Sequence, residues 1–338
     1  MIISRTPLRM SFVGGGSDLP SYYRSFGGAV LSTAIDKYVF ITCNRKFDNG
    51  IRIAYSKTEE VNDLRQIEHR IVKAVMSEIG IKGGVEITTV ADVPSRGTGL
   101  GSSSSFTVGL LNVLAAFKGR YTTSSLLAEQ SCRVEIDMCG DPIGKQDQFA
   151  AAYGGFNLIE FHPDERVDVS PVIMSPEVRK TLERRLMVFY TGTTRRATDI
   201  LEVQSRETAT RPDTQNALHR MVELVYALKT ELEHGNLDSF GDILHENWEL
   251  KKSLAPGVSN EGIDDWYDAA RRHGALGGKI LGAGAGGFLI FYANEEKHKD
   301  IEKALHPLRR VTFAFEPIGS RIIFYDPTTV DPEFSCEV

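Results

Sequence analysis

The residues best suited to chemistry lie in one short run, Pro94-Ser95-Arg96-Gly97-Thr98-Gly99-Leu100-Gly101-Ser102-Ser103-Ser104-Ser105. Three glycines alternate with other residues, four serines follow, and an apolar run from Phe106 to Phe117 takes over at once. Glycines let a backbone approach a ligand closely, and a helix start offers unpaired N–H groups and a positive dipole end. That combination suits a polyphosphate. Two familiar phosphate-loop patterns do not fit. A Walker A loop needs a lysine after its spacer, and Gly97-Thr98-Gly99-Leu100-Gly101 is G-x-G-x-G where a dinucleotide fingerprint needs G-x-G-x-x-G. A plain glycine turn before a core helix stays open as the structural alternative.

Upstream of the loop, Val85, Ile87 and Thr89 alternate with Glu86 and Thr88, so a half-buried strand feeds it. Further strands are expected at Met1–Phe12 (interrupted at Pro7), Tyr38–Asn44, Ile51–Tyr55 and Phe156–Phe161. Helices are expected over 63–79, 124–138 and, with Asp141 as cap and Pro142 at the first position, 142–153. Residues 161–184 are rich in Pro, Ser and charge, which places a domain boundary near residue 180. Beyond it stand Leu186–Tyr190, long helices between 197 and 273, a strand at 287–292, a helix at 295–305 and strands near 311–316 and 321–325. Strands and helices without a regular βαβ repeat indicate an α+β architecture. Domains are therefore expected at 1–180 and 181–326, with a poorly ordered tail at 327–338.

A chain of 338 residues with 41 % hydrophobic content can build two cores. The net charge of −6 supplies no electrostatic reason to bind nucleic acid or an anionic membrane. Cys43, Cys132, Cys139 and Cys336 show neither metal spacing nor a secreted framework. With no signal-like or membrane-spanning run, a cytoplasmic setting is expected.

Two more glycine clusters flank the first: Pro7-Leu8-Arg9-Met10-Ser11-Phe12-Val13-Gly14-Gly15-Gly16-Ser17-Asp18, and Gly277 to Gly287. Gly282, Gly284 and Gly287 match G-x-G-x-x-G by letter, but an apolar strand follows where a dinucleotide fold needs a helix. In this order and spacing the three clusters resemble the motifs of the GHMP kinase superfamily, from about Ile3 to Tyr325. Pro94 with Gly99-Leu100-Gly101-Ser102-Ser103 matches its P-x-x-x-G-L-G-S-S. Gly14-Gly15-Gly16-Ser17-Asp18-Leu19-Pro20 and Gly144-Lys145-Gln146-Asp147-Gln148-Phe149 look like the D-glycero-D-manno-heptose 7-phosphate kinases, which make the 1,7-bisphosphate on the way to activated heptose for surface polysaccharide. Galactokinase- or fucokinase-like sugar 1-kinases come next, followed by mevalonate-pathway kinases or decarboxylases. A non-catalytic sugar sensor is the non-enzyme alternative.

The resemblance implies a two-domain fold: a mixed α/β nucleotide-binding domain, then a ferredoxin-like α+β domain, with the active site between them. It implies ATP and Mg2+, with Pro94, Gly97, Gly99, Leu100, Gly101, Ser102, Ser103 and Ser104 cradling the nucleotide. Ser103 and Glu135 are its expected metal ligands, with Glu129 and Asp137 as competitors to Glu135. Asp147 matches the catalytic aspartate and Arg9 the first-motif arginine, though Arg9 could instead be an ion-pair partner of Asp18. Gly14, Gly15, Gly16, Ser17, Asp18, Gly284 and Ala285 are expected near the sugar. A sugar phosphate needs a second anion site, for which Lys145, Arg195 and Arg196 are the candidates. The expected partners are ATP and a small sugar phosphate, with a homodimer allowed.

Overall fold

Residues 1–94, 97–193 and 197–330 are described by the structure, a computed structural model. Strands β1 (Ile2–Val13) and β2 (Gly28–Arg45) bracket helix α1 (Pro20–Phe26). The hairpin β3 (Ile51–Ala54) and β4 (Thr58–Val61) leads through α2 (Arg70–Ile79) to β5 (Val85–Ala91). Helices α3 (Ser102–Phe117), α4 (Ser124–Cys132) and α5 (Gln146–Tyr153) follow. The hairpin β6 (Phe156–Phe161) and β7 (Val167–Pro171) then leads into α6 (Pro176–Arg185). The second half runs β8 (Leu186–Tyr190), α7 (Ala197–Thr210), α8 (Pro212–Glu233), α9 (Phe240–Ser253) and α10 (Glu261–Arg272). It closes with β9 (Ala275–Ile280), β10 (Phe288–Ala293), α11 (His298–Ala304), β11 (Arg309–Val311) and β12 (Arg321–Tyr325).

Two sheets result. The first has order β12-β1-β2-β5-β3-β4, with β6 and β7 alongside the other half of β2. β2 can serve two sets of neighbours because it is 18 residues long: Gly28–Thr33 pairs with β6 and Val39–Arg45 with β5. β1 is buried nearly throughout and continues past Pro7, where the register shifts by a bulge instead of breaking. Helix α3 crosses this sheet and is buried on almost every side, which its apolar composition requires.

The second sheet is antiparallel with order β11-β8-β10-β9. Numbered by appearance that is 4-1-3-2, the order of a ferredoxin-like βαββαβ unit. Its second strand, β9, contains Gly277 and Gly278, so part of the third glycine cluster is strand and not loop. Arg321–Tyr325 does not belong to this sheet. It returns to the first and pairs with β1, so the expected C-terminal domain loses its last strand.

Other local expectations shift for identifiable reasons. The 161–184 stretch holds β7 and α6, whose Ser175 hydroxyl caps the helix. The 63–79 helix splits into a 3-10 turn at Leu64–Gln66 and α2. Pro327–Thr329 forms a further 3-10 turn, and Thr329 is buried beside the N-terminal amine, so the tail is ordered at least to residue 330.

Candidate active site

Arg9 sits mid-strand in β1 between the core residues Leu8 and Met10, yet its side chain is only 4 % exposed. A buried guanidinium must find partners, and it finds them in two other elements. Its Nε and one terminal nitrogen each lie 2.7 Å from an Asp147 carboxylate oxygen, a bidentate pair. Its other terminal nitrogen donates to the Gly99 carbonyl at 2.5 Å. The alternative pairing of Arg9 with Asp18 is therefore not the one formed. Asp147 lies in the first turn of α5 and retains 24 % side-chain exposure, so one carboxylate is both clamped and reachable.

That helix does not begin at Pro142. Residues 141–145 lie outside the helix and are tied elsewhere: Arg70 pairs with Asp141, and the Lys145 amide donates to the Asp18 carbonyl. The helix opens at Gln146.

The glycine-serine loop delivers α3 as expected. Gly101 caps the helix with φ +74°, and a Cβ there would lie 3.3 Å from Asp147 Oδ2. Ser102 and Ser103 are accessible at the helix start. Ser104 and Ser105 do not cap the helix. The Ser104 hydroxyl donates to Glu135 Oε2 at 2.7 Å, and that of Ser105 to the Pro7 carbonyl at 2.8 Å. Pro94 is exposed, while Ser95 and Arg96 lie outside the described residues.

Glu135 is fully buried; its competitors Glu129 and Asp137 are exposed. After Cys132 helix α4 widens into a π-helical turn, Arg133–Met138, which sets Val134 and Glu135 inward together. Glu135 Oε2 accepts from Ser104 and Gln148, while Oε1 has no partner among the described residues. Burial pushes this carboxyl up to about 7, against the pull of those two donors. Among the described residues no cluster of three or more His, Cys, Asp or Glu could hold a metal. A nucleotide-borne Mg2+ needs only one or two carboxylates, and an orphaned buried carboxylate oxygen beside a phosphate loop fits that need.

The first glycine motif packs against the start of β2. Ser17, expected near the sugar, is fully buried and staples the turn: its hydroxyl bonds the carbonyls of Gly14 and Ala29. Asp18 accepts from the Gly16 and Gln146 amides, and burial raises its pKa despite those bonds. The loop of the second half meets the first backbone to backbone. A Cβ on Gly99 would stand 2.2 Å from the Leu281 carbonyl, and one on Gly282 2.4 Å from the Gly99 Cα. The Ala285 amide donates to the Val258 carbonyl and its side chain packs in the second core, and a Cβ on Gly284 would lie 2.4 Å from that same carbonyl. Lys145 is taken by Glu165 and lies over the Tyr23 ring. Arg195 and Arg196 lie outside the described residues.

Lys251 went unnoticed in the sequence. It projects from α9 into this site with 4 % exposure, and burial lowers its pKa to about 8 while Asp18 opposes the shift. Leu244, Asn247, Trp248 and Lys251 are spaced i, i+3, i+4, i+7 and are all buried. A lysine on that stripe was the available signal.

Models of the GHMP kinases N-terminal domain and C-terminal domain match residues 67–155 and 228–311. The chain is 31 % identical to a D-glycero-alpha-D-manno-heptose 7-phosphate kinase of Campylobacter jejuni, over 90 % of this chain and 93 % of that one. This chain belongs to the GHMP kinases. Its fold superposes on the crystal structure of a D-glycero-D-manno-heptose 1-phosphate kinase from Bacteroides thetaiotaomicron with TM-score 0.79 and 26 % identity, covering 96 % of this chain and 100 % of that one. A galactokinase of Pyrococcus furiosus is 27 % identical over 90 % of this chain and 92 % of its own. As a GHMP kinase it is an ATP-dependent phosphotransferase with a hydroxyl acceptor, and the relatives place it among the sugar kinases. No helix among the described residues is long and apolar enough to cross a membrane.

Proposed function

We propose that this GHMP kinase transfers the γ-phosphate of ATP to the anomeric hydroxyl of D-glycero-D-manno-heptose 7-phosphate, giving the 1,7-bisphosphate for polysaccharide precursor synthesis in the cytoplasm. The observation that carries the reading is Asp147, a reachable carboxylate clamped by Arg9 beside the start of α3. Phosphoryl transfer depends mainly on positioning and charge stabilisation, and these residues supply both. Gly97 to Ser104 lie along the triphosphate, whose charge faces the unpaired amides of the helix start. Glu135, through Oε1, and Ser103 would hold Mg2+, which supplies charge neutralisation on the phosphates when bound. Asp147 accepts the proton of the acceptor hydroxyl as that oxygen bonds to phosphorus and the bond to the leaving diphosphate breaks. Arg9 fixes the carboxylate and the Gly99 carbonyl in one frame. The two domains divide near residue 180, with β12 returned to the first. A relative carrying the heptose 7-phosphate name at 31 % identity supports the choice of sugar.

The test is a panel of heptose 7-phosphate, heptose, galactose, fucose and mevalonate with ATP and Mg2+, the products resolved by 31P NMR. A second phosphate at C1 of heptose 7-phosphate, at the highest kcat/KM of the panel, is expected. Preference for free galactose or fucose would sink the reading.

A further inference from the structure

The acceptor of a sugar-phosphate kinase carries an anion, and the other cations around the site are spent, while Arg195 and Arg196 lie outside the described residues. Arg9 is committed to Asp147 and Gly99. Lys145 is committed to Glu165, and Lys279 donates to the carbonyls of Ser11 and Phe12. Lys251 differs. Its ammonium is buried, yet it makes no hydrogen bond or ion pair with any described residue. A buried ammonium with unspent donors is costly unless a ligand matches it.

The ammonium shares its position with other donors. Measured from the Cβ that Gly15 lacks, Lys251 Nζ, Gln146 Nε2 and Ser11 Oγ each lie 3.7 Å away. The Ser11 hydroxyl is buried and has no partner among the described residues. Three groups from β1, α5 and α9, all able to donate, therefore converge on one space left open by a missing side chain. The Asp18 carboxylate nearby accepts from the backbone amides of Gly16 and Gln146 and also draws on the Gln146 side-chain amide, whose second N–H is left for a ligand.

We propose that the space over Gly15 is a subsite for the anionic group of the acceptor, and that Lys251 selects phosphorylated over neutral sugars. This rests on the sugar-kinase reading above and deepens it. Charge-assisted donation from a buried ammonium, with an amide and a hydroxyl beside it, is the chemistry that recognises a phosphate oxygen. A neutral hydroxyl would leave the ammonium facing only the Asp18 and Asp147 carboxylates, neither of them within ion-pair distance.

Gly15 gives a direct probe. Its φ lies outside the left-handed region, and its missing Cβ would meet nothing closer than ordinary van der Waals contact. Gly15→Ala therefore fits the fold while filling the subsite.

The experiment measures kcat/KM for paired acceptors, heptose 7-phosphate with heptose and mannose 6-phosphate with mannose, in wild type, Lys251→Met and Gly15→Ala. Melting midpoints and the KM for ATP are followed alongside. Lys251→Met should lose about 10- to 100-fold on the phosphorylated member of a pair and less than about 3-fold on the neutral one. Gly15→Ala should raise the phosphorylated acceptor's KM about 10-fold or more, with the ATP KM and the melting midpoint unchanged. Equal losses on both members, no loss in either variant, or wild-type preference for neutral sugars would each overturn the subsite. If Lys251→Met fails to fold, Gly15→Ala decides alone. Should wild type prefer another sugar phosphate to the heptose, the sugar named above is wrong, and the selective loss is read on that sugar phosphate instead.

Discussion

Asp147 and Lys251 show how one residue's surroundings determine its use. Asp147 is held by two donors of one guanidinium and keeps 24 % of its side chain exposed, so a proton acceptor is both fixed and accessible. Replacing it with asparagine keeps the shape and removes the proton acceptor. We expect kcat for Asp147→Asn to fall about 10²- to 10⁴-fold, with nucleotide affinity nearly unchanged in a titration with a non-hydrolysable ATP analogue. Undiminished turnover would remove it from the mechanism. Lys251 predicts a pH dependence. The charged groups facing it are Asp18 on the first motif, Arg9 on β1, Asp147 on α5 and Lys279 on β9. Burial wins over Asp18 and brings the ammonium down to about 8. The charge is thus present at pH 7 and lost above pH 8, so the KM for a phosphorylated acceptor should rise through that range and stay flat in Lys251→Met. Stability moves the other way. Between about 8 and the ordinary lysine value the unfolded chain binds the proton and the folded one does not, so this group's contribution to stability rises with pH. An unfolding midpoint that fell in step with acceptor affinity over pH 8 to 10 would contradict this assignment.

At the scale of elements, packing explains both what could be read and what could not. The loop before α3 was legible because glycine spacing, serines and an apolar run all point to strand, loop and helix, and the structure has that order. β9 was not, because Gly277 and Gly278 read as loop by composition. The reason for glycine is external to the strand: a Cβ on Gly277 would lie 1.9 Å from the Gly241 carbonyl, so α9 approaches β9 too closely for any side chain. That approach also brings Lys251 to the site, since α9 carries it. The inward turn of Glu135 was half legible; its position in a helix could be read, but the π-helical widening after Cys132 depends on neighbours. Gly277→Ala should therefore push α9 off β9, costing about 1–3 kcal/mol by overpacking and raising the acceptor KM more than the ATP KM. Chemical denaturation and steady-state kinetics on the one variant check both. A stable variant with both constants unchanged would show that the seam has room.

Across the whole molecule the two sheets are joined at the site itself. β12 crosses back to pair with β1, so the end of the described chain completes the sheet that the beginning starts. The sequence pattern could not show this, because a strand's own pattern marks its buried face and not which distant strand it will pair with. Gly99 and Gly282 interlock the two glycine loops, and close by Lys279 reaches from β9 to the carbonyls of Ser11 and Phe12 at 2.9 and 3.1 Å. Burial holds the Lys279 ammonium well below its ordinary pKa, so its charge weakens the fold while its donors strengthen it. Lys279→Met separates these effects. It removes the charge and keeps the stem, but leaves two buried carbonyls short of a donor. Asn247 reaches only the Phe12 carbonyl, at 3.5 Å, so it cannot compensate. The unmet carbonyls should outweigh the relief from burying a charge, lowering stability by about 1–3 kcal/mol. A lower urea midpoint with an unchanged slope is the expected signature. An unchanged or higher midpoint would mean that desolvation of the ammonium had been the larger effect, and that backbone interlocking at Gly99 and Gly282 holds the halves together without it.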